Sequence, residues 1–216
     1  MIGYRWRFGC RTGGGRQVLI GLFSDAHCNH VAVRAAIEAM APVVDEIICA
    51  GDSVYEYRMC NDTVELLREH QVRSIFGNHE AVLLGPQGVR ALARPDIRES
   101  NVEYLRNLSW SIDVVVGGKR LKVVHGSPFE PYNDYLVEGS PKFKRCAEVD
   151  ADFLVLGHTH VPMAERAGNV LVINPGSIGE SREVSARTQV SYAILDTDAE
   201  TVEHIRFDNP RLPAAS

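Results

Sequence analysis

The sequence predicts an α/β protein in which two β-sheets pack together and helices cover their outer faces. Three observations predict this fold class. Apolar runs alternate with amphipathic helices in the first half, hairpin signals fill the second half, and five apolar runs end in polar residues. The first pattern is typical of a parallel sheet, whereas hairpins join antiparallel strands. Two halves of such different character favour two sheets over one.

The first half contains three predicted strands with two helices between them. The strands are continuous apolar runs, which is typical of strands buried on both faces. In the first helix Val33, Ile37 and Met40 follow helical spacing. In chain order we predict a strand at 18–23, a helix at 31–40, a strand at 46–50, a helix at 62–70 and a strand at 72–76.

The second half is rich in predicted antiparallel strands. Residues 80–108 are predicted to be helical in pieces, interrupted at Gly85-Pro86 and at Pro95. Two hairpins follow, each with glycine in its turn. The predicted strands are 112–116 with 121–124, 163–167 with 170–174, then 189–195 and 202–207. The connection at 127–145, with three prolines, either shapes a substrate pocket or forms a passive surface loop.

Length and composition predict one folded domain. A chain of 216 residues with 45% hydrophobic content buries roughly 70% of its unfolded surface. We assign residues 17–207 to the domain, 1–16 to a disordered leader and 208–216 to a C-terminal tail. The net charge of −5 argues against stable nucleic-acid binding, and no apolar stretch reaches the roughly 18 residues of a membrane span.

The five cysteines are an odd number and lack the CxxC spacing of zinc or redox motifs. We therefore expect reduced thiols and a soluble, cytoplasmic protein. Cys28 is expected to be a small buried side chain in a tight turn, the alternative being a thiolate that tunes or poisons a metal site.

The most informative feature is that five apolar runs each end in residues that bind metals or move protons. In an open α/β sheet, ligands collect beyond the carboxyl ends of strands, so such residues converge if they occupy equivalent ends. Asp25 and His27 stand two apart, which in an extended segment places both on one face. The seven candidate ligands are Asp25, His27, Asp52, Asn78, His125, His158 and His160.

Seven ligands are more than one ion with an open coordination position requires, so we predict two metal ions. Imidazole, carboxylate and amide ligands without cysteine suit Mn²⁺, Fe, Zn²⁺, Ni²⁺ or Co²⁺ better than Ca²⁺ or Mg²⁺.

The motifs Asp-x-His, Gly-Asp, Gly-Asn-His-Glu, His and Gly-His-x-His, in this order, resemble the calcineurin-like metallophosphoesterases, and especially their small bacterial and archaeal members. The resemblance spans roughly residues 17–207 and implies a four-layer αββα sandwich with two mixed sheets. It implies one ion at Asp25, His27, Asp52 and His160, and a second at Asp52, Asn78, His125 and His158, with Asp52 bridging them.

The resemblance also implies the chemistry, which is attack of a metal-bridging hydroxide on a phosphomonoester or phosphodiester. His79, left uncoordinated, would protonate the leaving oxygen as general acid or stabilise charge on the transferred group. Glu80 would orient the His79 ring. The expected partner is a small phosphorylated compound or a nucleotide.

Two departures disfavour a phosphoprotein substrate. Glu80 resembles the serine/threonine phosphatases, but the Asp-Arg pair that those enzymes carry after Gly-Asp is replaced by Ser53 to Tyr57, and the chain is shorter than their catalytic domain.

The alternative function is a protein-binding scaffold without catalysis, because the fold also serves as a non-catalytic retromer subunit. A nuclease like the DNA-repair members of this family is disfavoured, because it would bring a basic channel and extra domains and neither is visible in the sequence. Oligomeric state is not predicted.

Overall fold

A computed structural model of the protein describes residues 17–211 and shows two five-stranded sheets packed face to face. The predicted fold class, two mixed sheets flanked by helices, is confirmed. The predicted leader at 1–16 and residues 212–216 of the predicted tail lie outside the described residues. Within residues 17–211, no helix combines the length and apolar character that crossing a bilayer requires.

The elements agree with the predicted ones within a few residues at each end. The strands are β1 (Leu19–Phe23), β2 (Glu46–Cys49), β3 (Arg73–Ser74), β4 (Ser111–Val116), β5 (Lys119–Val124), β6 (Phe153–Val155), β7 (Met163–Ala167), β8 (Val170–Asn174), β9 (Gln189–Asp196) and β10 (Thr201–Asp208). The α-helices are α1 (His30–Met40), α2 (Asn61–Glu69), α3 (Asn78–Leu84), α4 (Val89–Leu92), α5 (Glu99–Arg106) and α6 (Pro141–Lys144). Short 3₁₀ turns occupy Pro86–Gly88, Arg145–Glu148 and Val184–Ala186.

Both sheets mix parallel and antiparallel pairs. The first has the order β10-β9-β1-β2-β3, with β1, β2 and β3 parallel and β9 antiparallel to β1. The second has the order β4-β5-β6-β8-β7, with β5, β6 and β8 parallel and β4 and β7 antiparallel at its edges. The last two strands therefore join the sheet of the first half, although the sequence pattern grouped them with the second half.

Alternation along the strands creates the layers, because successive side chains point to opposite faces. Ile20 and Leu22 of β1 lie in the central core between the sheets, together with Phe153 and Val155 of β6. Phe23, the next residue of β1, lies instead in the outer cluster against α1 and α2. On the far side of the second sheet, a third cluster packs α6 against β6 and β8. The carboxyl ends of the parallel strands are thereby held at one rim.

Candidate metal centre

The loops after five strands bring all seven predicted ligands together. Their candidate ligand atoms form compact groups in which all atoms lie within 4.8 Å of one another. The groups are Asp25, His27 and His160; Asp52, His125 and His158; and His27, Asp52 and His79. Asn78 completes the set, because its Oδ1 lies 3.0 Å from His125 Nε2. The assignment of these side chains as ligands remains a prediction, but their convergence is a finding.

The sequence analysis assumed an extended backbone at Asp25 and His27, but the backbone at five of the candidate ligands is left-handed. Asp25, His27, Asp52, His158 and His160 have φ values of 54°, 44°, 54°, 68° and 60°, in the left-handed region. Such a conformation costs a non-glycine residue of order 1–3 kcal/mol, so the surrounding structure must fix it. Asp25 and His27, and likewise His158 and His160, therefore face the same space because each pair lies in a sharply turned loop.

Hydrogen bonds between loops hold this backbone in place. The amide of Asp25 donates to Gly51 O at 3.0 Å and that of His27 donates to Asp52 O at 3.1 Å, which ties the loops after β1 and β2 together. The amide of His158, after β6, donates to Asp25 Oδ2 at 3.0 Å. This last bond connects the second sheet to the first across the site.

Two glycines allow the loops to approach closely. A Cβ on Gly77 would lie 2.2 Å from Asp52 Oδ1 and 2.5 Å from Asp52 N. A Cβ on Gly157 would lie 2.1 Å from Ser24 Oγ and 2.9 Å from Asp25 Oδ2. Both contacts are too short for a side chain, so glycine before Asn78 and before His158 follows from the packing of the site.

Main-chain carbonyls orient the imidazole rings. Nδ1 of His125 lies 2.8 Å from Ala50 O, and Nδ1 of His160 lies 3.1 Å from Glu180 O. If each Nδ1 donates its proton to the carbonyl, the neutral ring presents an Nε2 lone pair to the site. His158 instead places Nε2 3.0 Å from Asn133 O, which leaves its Nδ1 as the unprotonated nitrogen. All three rings can therefore act as ligands.

Burial and charge shift the pKa values of these groups, and the buried carboxylates attract a cation, which without metal is the proton on His125. Burial raises the pKa of Asp25, but the adjacent His160 ring and the charges of neighbouring histidines outweigh it and hold this pKa below its usual range. Burial lowers the pKa of His27 to about 4, so its ring is neutral at pH 7. For His125 burial also lowers the pKa, but the Asp52 carboxylate overcomes it and raises the value to about 10.

The donor set fits divalent metal ions. Asp25 Oδ1 is buried and makes no hydrogen bond, although Nε2 atoms of His160, His27 and His125 lie 3.2, 3.8 and 3.9 Å away. Nε2 of His27 also lies only 3.0 Å from Nε2 of His160. Nitrogen and oxygen lone pairs that face one another in a buried space are the arrangement that a shared cation stabilises.

Glu80 contacts the loop that carries Asp52, and none of its described hydrogen bonds reaches the His79 ring. Its carboxylate accepts hydrogen bonds from the amides of Asp52, Ser53, Val54 and Gly77 and from the Ser53 hydroxyl. Burial, followed by the charge of Asp52, raises the pKa of Glu80 to about 7. The predicted role of Glu80 as the group that orients His79 is therefore replaced by a role in shaping the Asp52 loop.

His79 is oriented by the main chain. Its Nδ1 accepts a hydrogen bond from the Glu56 amide at 3.2 Å, and its Nε2 lies 3.7 Å from Asp52 Oδ2. A neutral ring in this position carries its proton on Nε2, towards the site. The side chain is 17% exposed, so His79 is the part of the cluster that a substrate could contact.

The connection at 127–145, predicted to be either a pocket-shaping or a passive loop, places Tyr135 against the site, whereas Tyr55 and Arg211 were not predicted to lie there. The Tyr55 ring lies 4.8 Å from the His27 ring, and the Tyr135 ring stacks on His158 at 4.1 Å. Arg211 donates a hydrogen bond to His27 O, so residues past the predicted domain end at 207 pack against the site. No motif marks these residues, because their positions depend on the course of long loops.

The cysteine prediction was wrong for one pair. Cys28 and Cys60 form a disulfide in the structure, whereas Cys49 and Cys146 are free and buried. Cys28 is 4% exposed, as expected of a residue in a tight turn, but its sulfur is bonded and is not a thiolate facing the metals. Sequence spacing of 32 residues gave no signal for this pair. Cys10 lies outside the described residues.

The chain belongs to the calcineurin-like phosphoesterase superfamily, whose domain model matches residues 18–200. This finding confirms the family that the five motifs predicted. Members of the family are phosphoesterases that use divalent metals, and the clustered ligands agree with that class.

Individual relatives are similar over different lengths. An uncharacterised protein of Methanocaldococcus jannaschii is 27% identical over 88% of this chain and 87% of its own. The phosphodiesterase YfcE of Escherichia coli is 34% identical, over 41% of each chain. The crystal structure of a metallophosphoesterase from Sphaerobacter thermophilus, 27% identical, superposes with a TM-score of 0.71 over 90% of both chains.

Proposed function

We propose that this protein is a dinuclear metal-dependent phosphoesterase that hydrolyses phosphomonoesters or phosphodiesters of small molecules. The observation that carries the proposal is the presence of two groups of candidate ligands. Asp25, His27 and His160 form one group, and Asp52 forms the other with His125 and His158. When bound there, two divalent ions would supply an activated water and neutralise charge on the phosphoryl group.

Asp52 would be the ligand that the two ions share. Its Oδ2 lies 3.0 Å from His125 Nε2, and its Oδ1 accepts a hydrogen bond from the His79 amide at 2.8 Å. Four hydrogen bonds to Glu80, from Asp52, Ser53 and Val54, fix the loop on which Asp52 sits. The ligand that both groups would share is therefore also the most firmly positioned one.

The arrangement of His79 favours one of the two roles implied by the family resemblance. General acid catalysis by an imidazolium requires protons on both nitrogens, but Nδ1 already accepts the Glu56 N–H. A neutral ring that donates an Nε2 hydrogen bond to the leaving oxygen is compatible with this contact. We therefore propose charge stabilisation by Nε2–H as the principal role of His79.

The surroundings of the site suit an anionic substrate. Arg58 lies over the Tyr55 ring, with its guanidinium carbon 4.9 Å from the ring centroid, and Arg211 lines the same pocket. Within residues 17–211 neither guanidinium takes part in an ion pair. Two such cations beside His27 complement a phosphorylated small molecule or nucleotide. No observation favours a phosphoprotein or the scaffold alternative.

The test is hydrolysis of p-nitrophenyl phosphate and of its bis ester with Mn²⁺ added and with chelator present. We expect activity with metal and its loss in chelator. His79→Ala should lower kcat by a factor on the order of 10² to 10³ with unchanged metal content. His79→Gln should recover part of that loss, because its amide can donate the same hydrogen bond. His70→Ala, at an exposed histidine, serves as the control.

Two results would contradict the proposal. Activity that survives both chelator and His79→Ala excludes metal-dependent hydrolysis at this site. Equal losses in His79→Ala and His79→Gln would instead favour proton transfer by His79 over hydrogen-bond donation. Metal content near zero after purification without chelators, combined with no hydrolysis, would favour the scaffold alternative.

A further inference from the structure

A large cleft opens beside the candidate metal centre. Its volume is about 1,050 Å³, and two predicted metal ligands, Asn78 and His125, form part of its wall. Phe76, Trp110 and the loop that contains Tyr132 also line the cleft. Small-molecule sites have volumes of about 300–1,000 Å³, so the cleft has the size of a site for one ligand.

The aromatic residues of this cleft present unused ring surface. Trp110 is 65% exposed and Tyr132 is 61% exposed, which is high for such large apolar rings. The Trp110 ring packs against Phe76, with ring centroids 4.5 Å apart and ring planes inclined at 51°. An exposed indole that packs against a second ring is well suited to stack on a planar aromatic ligand.

Polar groups in the same wall supply hydrogen-bonding partners. Ser111, Lys122 and Glu130 line the cleft and together offer donors and acceptors. The Lys122 ammonium lies 3.2 Å from the carboxylate of Asp113, its partner on the neighbouring strand β4. Flat apolar surface combined with a few hydrogen-bonding groups matches the chemistry of a nucleobase, which has a π-face and a polar edge.

We infer that this cleft binds the nucleobase of a nucleotide substrate while the phosphate lies at the metal centre. The inference rests on the proposed function, because the cleft shares Asn78 and His125 with the presumed metal site. Trp110 is the residue that stacks on the base, and Tyr132 lines the cleft as a second aromatic contact. The substrate class narrows from any phosphorylated small molecule to phosphate esters of nucleosides.

The test uses a ligand without phosphate, so that it does not depend on metal or catalysis. Chelator-treated protein is equilibrated by dialysis with labelled adenosine, and with labelled ribose as the non-aromatic comparison. We expect adenosine to bind and ribose not to bind. Trp110→Ala should weaken adenosine binding roughly 5- to 150-fold, the range for loss of one stacked base. Trp110→Phe should retain most of it.

Val115→Ala is the matched control, since Val115 is 63% exposed on β4, close to Trp110 in sequence, and is not part of the cleft wall. Tyr132→Ala, at a second residue that lines the cleft, should also weaken adenosine binding. Circular dichroism of each variant shows whether the fold is kept. If Trp110→Ala does not fold, the comparison rests on Tyr132→Ala against Val115→Ala.

Failure of this inference is distinct from failure of the proposed function. Adenosine binding that depends on Trp110 or Tyr132, without hydrolysis of any ester, supports nucleobase binding in the cleft and contradicts the proposed phosphoesterase activity. Hydrolysis of phosphate esters with no adenosine binding, or with equal binding in the cleft variants and in Val115→Ala, overturns the cleft inference alone. Equal affinity for adenosine and ribose also overturns it.

Discussion

Glu80 illustrates how one buried side chain organises a site without being part of its chemistry. Its carboxylate accepts five hydrogen bonds, four of them from main-chain amides. These donors fix the loop after β2 and the start of α3, so that Asp52 and Asn78 face the same space. A carboxylate is required there because each of its oxygens must act as an acceptor.

Glu80→Gln should therefore destabilise the fold and weaken metal binding. The substitution keeps the size of the side chain but directs an NH₂ group at main-chain N–H donors, which leaves buried donors unpaired. We expect a loss of about 1–3 kcal/mol in the free energy of unfolding, measured in urea. Glu103→Gln, on the exposed face of α5, is the control. Equal stability of the two variants would show that the Glu80 hydrogen bonds contribute nothing.

The ionisation of His125 gives a second prediction at this scale, for the protein without metal. The pKa of His125 is raised to about 10, chiefly because the nearby Asp52 carboxylate outweighs burial. The folded chain then holds this proton more tightly than the unfolded chain, whose histidines titrate near 6.5. The resulting stability is complete below pH 6.5 and is lost as the pH rises through 10.

Thermal unfolding of chelator-treated protein between pH 6.5 and 10 measures this effect. We expect the melting temperature to fall across the range in the native sequence and to change less in His125→Asn. Metal-loaded protein should also lack this component, because a coordinated imidazole is neutral. A pH dependence that is the same with and without the His125 side chain would contradict the assignment.

At the scale of elements, the sequence predicted the strands because their signal is local. Apolar runs such as 18–23 and hairpin turns such as Gly117-Gly118 need no knowledge of the rest of the fold. The candidate ligands at the strand ends could be predicted for the same reason. β3 was the least accurate case: Arg73–Ser74 is two residues long, because Ile75 pairs with Ser109 as an isolated bridge.

What the sequence could not predict depends on long-range placement. The carbonyls of Ala50, Asn133 and Glu180 orient histidine rings, yet a carbonyl exists at every residue and carries no pattern. The left-handed backbone at Asp25 and His27 is fixed by bonds to another loop. The membership of β9 and β10 in the first sheet likewise follows from packing that no local window contains.

The Cys28–Cys60 disulfide gives a prediction at the scale of elements. It joins the loop before α1 to the residue that precedes α2, closing a sequence separation of 32 residues. Chain-entropy arguments give about 3–4 kcal/mol for a loop of this length. Reductant should lower the stability of the native sequence by roughly this amount and leave Cys60→Ser unchanged. Denaturant curves that are insensitive to reductant in both proteins would mean that the pair is not bonded in solution.

At the scale of the whole molecule, the candidate site lies where the two sheets meet. The first sheet supplies Asp25 and His27 after β1, Asp52 after β2 and Asn78 after β3. The second sheet supplies His125 after β5 and His158 and His160 after β6. Each proposed ion draws ligands from both sheets, so metal binding would connect the two layers in addition to the central apolar core.

Metal ions should consequently stabilise the entire fold and not only the loops. A ligand that binds the folded state alone adds about 2.7 kcal/mol when present at 100 times its Kd. For a domain of this size that corresponds to a rise of about 5–10 °C in melting temperature. Calorimetry with Mn²⁺ and with chelator measures the shift, and Asp208→Asn, on the exposed end of β10, is the control. Asp52→Asn should abolish most of the rise, because it removes the charge that both proposed ions would share. A full rise in Asp52→Asn would place the stabilising metal elsewhere.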